Sequence, residues 1–369
     1  MKITYPHVGD LSIALEGFFD NLGIEAVVPP SPGEKVLAAG ARHSPETVCL
    51  PYKHVLGELI LSLDKGADTL VLIGGRGPCR FGFYDVAQND ALRELGYTYR
   101  VISTENPDSI MNLIREFKAV APRNSLPRIA WETYLFCRRI EAIDAVHDEA
   151  DRIRWRAEDR EAFEKTVDRA KRRVADSRTF LALGRARREA LAMVRGIPLA
   201  KPAAGPIRVG IMGEFYTVVD PNTNFHVERV LGELGAEVRR GVRISQWLND
   251  RWRFRPLLRN DRARAKRQAR PYIAFSPGGE AVVSLSRVID WHREGFDGAV
   301  HLLPFTCMPE LCAASVLPSV LRDHPLPILR LVIDEHTDGT GVRTRLEAFV
   351  DTLRQRKDGL AAVMTAGRT

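Results

Sequence analysis

One pattern occurs twice in this chain and limits its fold more than any other feature. LDKGADTLVLIGGRGPC ends at Cys79, and HREGFDGAVHLLPFTC ends at Cys307. Each copy reads as a helix closed by Gly, an Asp that opens a strand, an apolar run that is the strand itself, and a cysteine just past its carboxyl end. Around the first copy, KITYP, EAVVPP, DTLVLIGG and YRVIST read as buried strands. LSIALEGFFDNLG, EKVLAAGA, YKHVLGELILSLDKG, FYDVAQNDALRELG and PDSIMNLIREFKAVA read as helices. Around the second, the strands IRVGIMGEF, AEVRRGV, DGAVHLLPF and ILRLVIDE alternate with the helices NTNFHVERVLGELG, SLSRVIDWHREG, PELCAASVLPSVLRDH and TRLEAFVDTLRQR. Such alternation implies parallel sheets covered by helices. Residues 128–195 contain no strand-like run and read as helical throughout, and residues 196–206 read as a linker. The expected architecture is therefore α/β: two doubly wound, flavodoxin/Rossmann-like domains at 1–125 and 205–369, joined by a helical connector at 126–204. Ligands of open α/β sheets bind at the carboxyl ends of the strands, so Cys79 and Cys307 are expected to face one cleft.

Charge and hydropathy exclude some functions. The 369 residues carry no run of about 20 apolar residues, and MKITYPHVGDLSIALEG lacks a signal-peptide core. A cytoplasmic protein, not a membrane protein, is expected. The net charge of +7 is concentrated at residues 251–270, RWRFRPLLRNDRARAKRQAR. No nucleic-acid recognition motif accompanies it, so it reads as a solvated helix face or a docking surface for another protein.

The five cysteines are Cys49, Cys79, Cys137, Cys307 and Cys312, and none forms a CxxC pair. A zinc ribbon is therefore not expected, and a metal site would have to gather ligands from distant segments. Cys49, in SPETVCLPY, precedes a helix, so it could join Cys79 and Cys307. Pro51, Pro78 and Pro309 stiffen the three loops. Cys307 lies just outside the helix opened by Pro309, where the helix dipole favours a thiolate. Gly74, Gly75 and Gly77 would let backbone N–H groups approach a sulfide or a phosphate. Arg76 and Arg80 would offset negative charge there. Three thiolates from separate loops suit an iron–sulfur cluster better than zinc, and such a cluster would keep one iron open. The spacing also admits a phosphate-binding turn at GGRG, or cysteines that only pack. Cys137, in YLFCRRI, reads as core; Cys312, about one turn past Cys307, is an alternative fourth ligand.

Six segments carry a resemblance. ETVCLP, GGRGPCRFGFY, GIMGEFY, SPGGE, DGAVHLLPFTCMPE and DEHTDGTGVRTRLEAFVD resemble the iron–sulfur subunits of the 2-hydroxyacyl-CoA dehydratase, benzoyl-CoA reductase and double-cubane cluster protein superfamily. Within it they are most similar to the branch related to CoA-substrate-specific enzyme activases. The resemblance implies α/β domains flanking a [4Fe–4S] cluster, with Cys49, Cys79 and Cys307 at the three ligand positions. It also implies a partner: an ATP-hydrolysing activator of the actin/heat-shock/sugar-kinase fold that delivers one low-potential electron. The chain has no segment similar to that ATPase, so the activator would be a separate protein. It lacks the further cysteines of a double cubane, which favours one cluster. The dehydratases pair two unlike subunits, so a homodimer or a sister subunit is implied here, while their substrate contacts do not carry over residue by residue.

Other polar residues follow from their positions. Glu310 could donate a proton at the site, or could complement the helix dipole in the first turn of its helix. Glu214 and Glu280 could bond across the domain interface or act as general acid and base. Asp334, Glu335 and Arg345 read as holding the C-terminal loop, and His301 reads as core.

Overall fold

The computed structural model describes residues 1–74, 78–103, 110–202, 205–252 and 261–366. The first half contains β1 (Lys2–Thr4), α1 (Leu11–Asn21), β2 (Glu25–Ala26), α2 (Glu34–Ala41), α3 (Leu50–Asp64), β3 (Thr69–Leu72), α4 (Tyr84–Glu94), β4 (Arg100–Ser103) and α5 (Ile110–Val120). Three long helices follow: α6 (Leu126–Ile153), α7 (Arg160–Ala175) and α8 (Phe180–Arg195). The second half contains β5 (Ile207–Gly213), α9 (Phe215–Val219), α10 (Val227–Glu233), β6 (Ala236–Arg240), α11 (Ile244–Trp252), α12 (Asp261–Ala269), α13 (Ala281–Arg293), β7 (Gly298–Pro304), α14 (Met308–Asp323), β8 (Ile328–Ile333) and α15 (Gly339–Ala366). Among the described residues, no helix is long and apolar enough to cross a membrane.

The chain is an α/β protein with two four-stranded sheets, both wholly parallel. Their orders are β2-β1-β3-β4 and β6-β5-β7-β8. In each, the chain leaves the first strand to one side and then returns past it to the other. Right-handed crossovers in opposite directions place helices on both faces, an arrangement consistent with two doubly wound units.

The sequence repeat has a structural cause. Gly66 and Gly295 sit at positive φ, 89° and 71°, a conformation that costs glycine nothing. Just beyond each, an aspartate clamps the amino-terminal end of a sheet. The backbone N–H of Lys2 donates to Asp68 Oδ1 at 2.9 Å, and that of Arg208 donates to Asp297 Oδ2 at 2.7 Å. Both first strands are thereby pinned to the third strand of their sheet at equivalent positions.

One expected helix is shorter than its sequence pattern. NTNFHVERVLGELG becomes helical only at Val227, because Phe225 and His226 both adopt positive φ (59° and 55°). Asn224 serves that turn: its side chain accepts from Val227 N and donates to Thr217 O.

The long helix α6 ties the halves together. It packs on α1 and α5 on one side and on β6 and α11 on the other. Its polar residues reach both ways: His147 bonds Asp10, and Asp151 bonds Arg240 at 3.0 Å and also Arg154. Asp148 receives Arg243 at 2.7 Å. His147, Asp151, Arg154 and Arg240 are buried, so each of those charges needs its partner, whereas the Asp148–Arg243 pair lies at the surface. The linker at 196–206 is modest by comparison: among its described residues, Leu199 forms an isolated antiparallel bridge to Ala157.

A second polar seam joins the two α/β halves directly. Glu58 of α3 is fully buried, accepting from His7 N at 2.9 Å and from the Tyr216 hydroxyl at 2.8 Å. Asp220 receives Gly9 N and pairs with His7. Burial pushes the Glu58 carboxyl up to about 8, against the pull of His7 and Tyr216 and with the Asp220 charge adding to it. Since the folded state holds this proton more tightly than the unfolded chain, stability falls as pH rises between about 4.5 and about 8. His7, also raised, loses its contribution in the same direction. The expected result is a stability in urea that declines from about pH 6.5 to pH 8, by at most ~1.4 kcal/mol per pH unit from Glu58, whereas below pH 6.5 His54, held down to about 4 by burial, acts in the opposite direction. Glu58→Gln should flatten that decline; an unchanged slope in the variant would exclude Glu58 as its source.

Candidate functional site

Each of the three cysteines stands immediately before a helix. Cys49 is the N-cap of α3, Cys307 is the N-cap of α14, and Cys79 precedes the short 3-10 helix Arg80–Phe83. The sequence pattern suggests this for Cys307 and leaves Cys49 in a loop two residues short of its helix. In the structure α3 starts at Leu50, so the same Cys-x-Pro step opens both helices, with Pro51 and Pro309 at the second helical position. Pro309 is thus one residue further in than its sequence position suggests. A proline there removes a backbone donor that has no intrahelical acceptor anyway. The remaining N–H groups at these helix starts favour negative charge.

Cys49, Cys79 and Cys307 line one cavity of about 300 Å³. Its walls come from the segments that follow β1, β3, β5 and β7: Pro6 and Val8, Ile73, Glu214 to Tyr216, and Cys307 with Pro309 and Glu310. The three loops are stapled by Arg80. Its guanidinium donates to Thr47 O at 2.6 Å and reaches Thr306 Oγ1 at 3.5 Å, while the Thr306 hydroxyl donates to Thr47 O at 2.9 Å. Thr47, Arg80 and Thr306 are close neighbours in sequence of Cys49, Cys79 and Cys307 respectively, so one side chain fixes three cysteine loops. Arg80 also lowers the Cys49 pKa by its charge.

Burial dominates the thiols. It raises Cys49, opposed by a hydrogen bond with the Tyr84 hydroxyl at 2.7 Å. It pushes Cys79 up to about 11, with the charges of Glu214, Cys49 and Glu280 adding. Cys307 is raised strongly by burial, then by Glu310 and Glu214. Burial also raises the carboxylates: Glu280 to about 7, with Arg262 opposing, and Glu214 in the same direction. A closed space with acids and thiols on its wall is one that a positive charge would stabilise, since a bound cation inverts this pKa pattern.

The other expected residues fall into place unevenly. Gly75, Arg76 and Gly77 lie outside the described residues. A Cβ on Gly74 would stand 2.6 Å from Asp85 Oδ1. Among the described residues, Glu214 and Glu280 bond within their own half. Glu214 caps α9 by accepting from Tyr216 N and Thr217 N, and Glu280 accepts from Arg262 at 2.7 Å. Glu310 lies on the cavity wall, fully buried. His301 is buried in β7 and bonds Glu310 at 2.8 Å. Cys137 is fully buried in α6, and Cys312 is absent from the cavity wall, its Sγ 4.0 Å from Met308 Sδ. Glu335 crosses to the first half, pairing with Lys53 at 2.7 Å, whereas Arg345 donates to Arg330 O and Asp334 accepts from Thr337.

The basic run is less free than its charge suggests. In its described part, Arg262 closes on Glu280 and Gly279 O, and Arg264 pairs with Asp290. Lys266, Arg267 and Arg270 remain exposed.

Several site residues carry no obvious sequence signal. Gly278 (φ 88°) and Gly279 (φ 48°) press on Cys79 and Pro309, so closely that a Cβ on Gly278 would lie 3.0 Å from Cys79 N. The GG pair in SPGGE was the available clue. Trp247 stacks on Phe215 at 4.8 Å and meets Phe81 edge-on at 6.4 Å. Phe81 in turn meets Tyr84, the partner of Cys49.

No protein-family model matches this chain, and no curated protein matches it. Among the described residues, no group of three or more His, Cys, Asp or Glu is arranged to hold a single metal ion. A cluster makes a different demand, because each of its thiolates binds a separate iron atom. The donor set fits that demand: three thiols on one wall, three helix starts behind them, and buried acids beside them.

Proposed function

We propose that the cavity holds one [4Fe–4S] cluster on Cys49, Cys79 and Cys307, in the manner of the 2-hydroxyacyl-CoA dehydratase superfamily that the sequence resembles. The observation that carries the reading is the convergence of three helix-capping cysteines on one cavity, their loops joined through Arg80. A bound cluster would supply one-electron chemistry at low potential for a reductive or dehydration reaction. The protein's own share is to hold the thiols, to exclude water with Val8, Phe81, Phe215 and Trp247, and to set the potential through nearby N–H groups and charge.

Electrons would arrive from the separate ATP-hydrolysing activator. Phe83 and Phe305, next to Arg80 and Cys307 in sequence, are 69% and 55% exposed, and apolar groups so exposed suit a docking face. Lys266, Arg267 and Arg270 would steer an acidic partner toward it. A second copy or a sister subunit would complete the assembly. A phosphorylated ligand fits the same cavity poorly: Glu214, Asp250, Asp261, Glu280 and Glu310 all line it, and its arginines bond acids already.

Protein purified without oxygen should be brown and should carry about four irons and four sulfides per chain. Colourless protein that stays iron-free after anaerobic reconstitution overturns the reading.

A further inference from the structure

Three cysteines bind three of the four irons in such a cluster. We propose that Glu310 binds the remaining one through Oε1. This inference rests on the cluster reading of the cavity and adds a protein ligand where cysteine chemistry supplies none.

The argument begins with the two oxygens of one carboxyl group. Oε2 accepts from the Ser284 hydroxyl of α13 at 3.0 Å and is hydrogen-bonded with His301 Nε2 of β7 at 2.8 Å. Two elements thus fix the orientation of the group. Oε1 is buried and has no hydrogen-bond partner. A buried polar atom in that condition calls for an occupant, and Glu310 borders the cavity that Cys49, Cys79 and Cys307 share.

Charge decides what kind of occupant. The guanidiniums on the cavity wall are engaged elsewhere: Arg243 with Asp148, Arg262 with Glu280, Arg287 with Asp261. Arg80 bonds Thr47. Among the described residues no Lys or Arg pairs with Glu310, whose one ion-pair neighbour is His301. Iron in the cavity would supply the positive partner that no Lys or Arg does. A carboxylate oxygen is an ordinary ligand for iron, and ligating carboxylates are themselves held by outer hydrogen bonds of the kind Ser284 and His301 make. Glu310 also lies in the first turn of α14, whose N-cap is Cys307, so thiolate and carboxylate would approach the cluster from the same helix end.

The test compares wild type, Glu310→Gln, Glu310→Ala and Ser284→Ala, each reconstituted anaerobically with iron-57 and sulfide. Mössbauer spectra, EPR spectra and the rate of iron loss to a chelator are measured. Wild type is expected to show one iron distinct from the other three. Glu310→Gln and Glu310→Ala should release that iron at least ~10-fold faster, leaving a three-iron cluster with its own EPR signal. Acetate should slow the loss in Glu310→Ala by filling the vacated position. Ser284→Ala, which loses one outer bond and keeps the ligand, should fall between. Glu310→Gln preserves volume and shape, so far-ultraviolet circular dichroism should match wild type. A Glu310→Gln cluster with the wild-type spectrum and release rate overturns the assignment while leaving the cluster reading intact. Wild type that takes up no iron overturns both.

Discussion

Cys79→Ser should lose most of its iron and visible absorbance after anaerobic reconstitution, falling from about four irons per chain to below about one. Cys49→Ser and Cys307→Ser should behave alike, because all three thiols face one cavity and a hydroxyl replaces a thiolate poorly as an iron ligand. Cys137→Ser should keep its iron, since Cys137 is buried in α6, and Cys312→Ser should keep it because Cys312 is absent from the cavity wall. Far-ultraviolet circular dichroism should be unchanged throughout the loop variants. The two sheets are built on cores dominated by Ile, Leu and Val; of the three thiols only Cys49 belongs to that core, and a serine there keeps nearly its volume. Iron and sulfide analysis with EPR across the five variants is the measurement. Equal loss in Cys137→Ser, or full iron in Cys79→Ser, would overturn the three-cysteine assignment.

The largest effect on stability is expected where α2 and α3 cross. Gly40 and Gly57 let the two helices meet backbone to backbone. A Cβ on Gly40 would lie 1.7 Å from Lys53 O, and one on Gly57 would lie 1.9 Å from Val36 O. Neither obstacle is a flexible side chain that can swing away, so the helices themselves would have to separate. Gly57→Ala should therefore destabilise by about 3 kcal/mol or more, at or beyond the upper end for overpacking. The damage should reach the cavity, since Cys49 caps α3 and the helix carries Glu58: less iron should be retained as well. Gly184→Ala is the control. Gly184 lies in α8 with nothing within 4 Å of its missing Cβ, and the change should stabilise by about 1 kcal/mol through helix propensity alone. Denaturant unfolding of both variants gives the comparison. A Gly57→Ala protein as stable as wild type would show that the helices part at little expense.

The strands and most helices are legible in the sequence because they obey simple periodicity and end at Gly. The duplicated Gly–Asp–strand–Cys pattern is legible for a further reason, now explicit in the Asp68 and Asp297 clamps on Lys2 and Arg208. What pattern cannot convey is which distant groups meet. Nothing near Arg80 signals that its partners are Thr47 and Thr306. Likewise Glu58, in the middle of an apolar helix, gives no sign that Tyr216 waits for it across the chain. The basic run misleads for a related reason: charge in sequence does not tell an arginine in solvent from one such as Arg262, closed onto a buried glutamate. Positive φ at the non-glycine residues Phe225 and His226 escapes sequence reading as well, because those residues ordinarily avoid it.

The staple at Arg80 also has a consequence for biosynthesis. More than half of the chain separates Cys79 from Cys307. At ~5–20 residues per second, a ribosome needs about ten seconds or longer to make that stretch. Throughout that interval Cys49 and Cys79 lack Cys307 and Arg80 lacks Thr306, and for the first part of it Glu58 also lacks Tyr216. The cavity comes into being only when β7 and the start of α14 have left the ribosome. Any group bound there enters a nearly finished protein, and the cell has to shelter Cys49 and Cys79 from oxidation and stray metals until then.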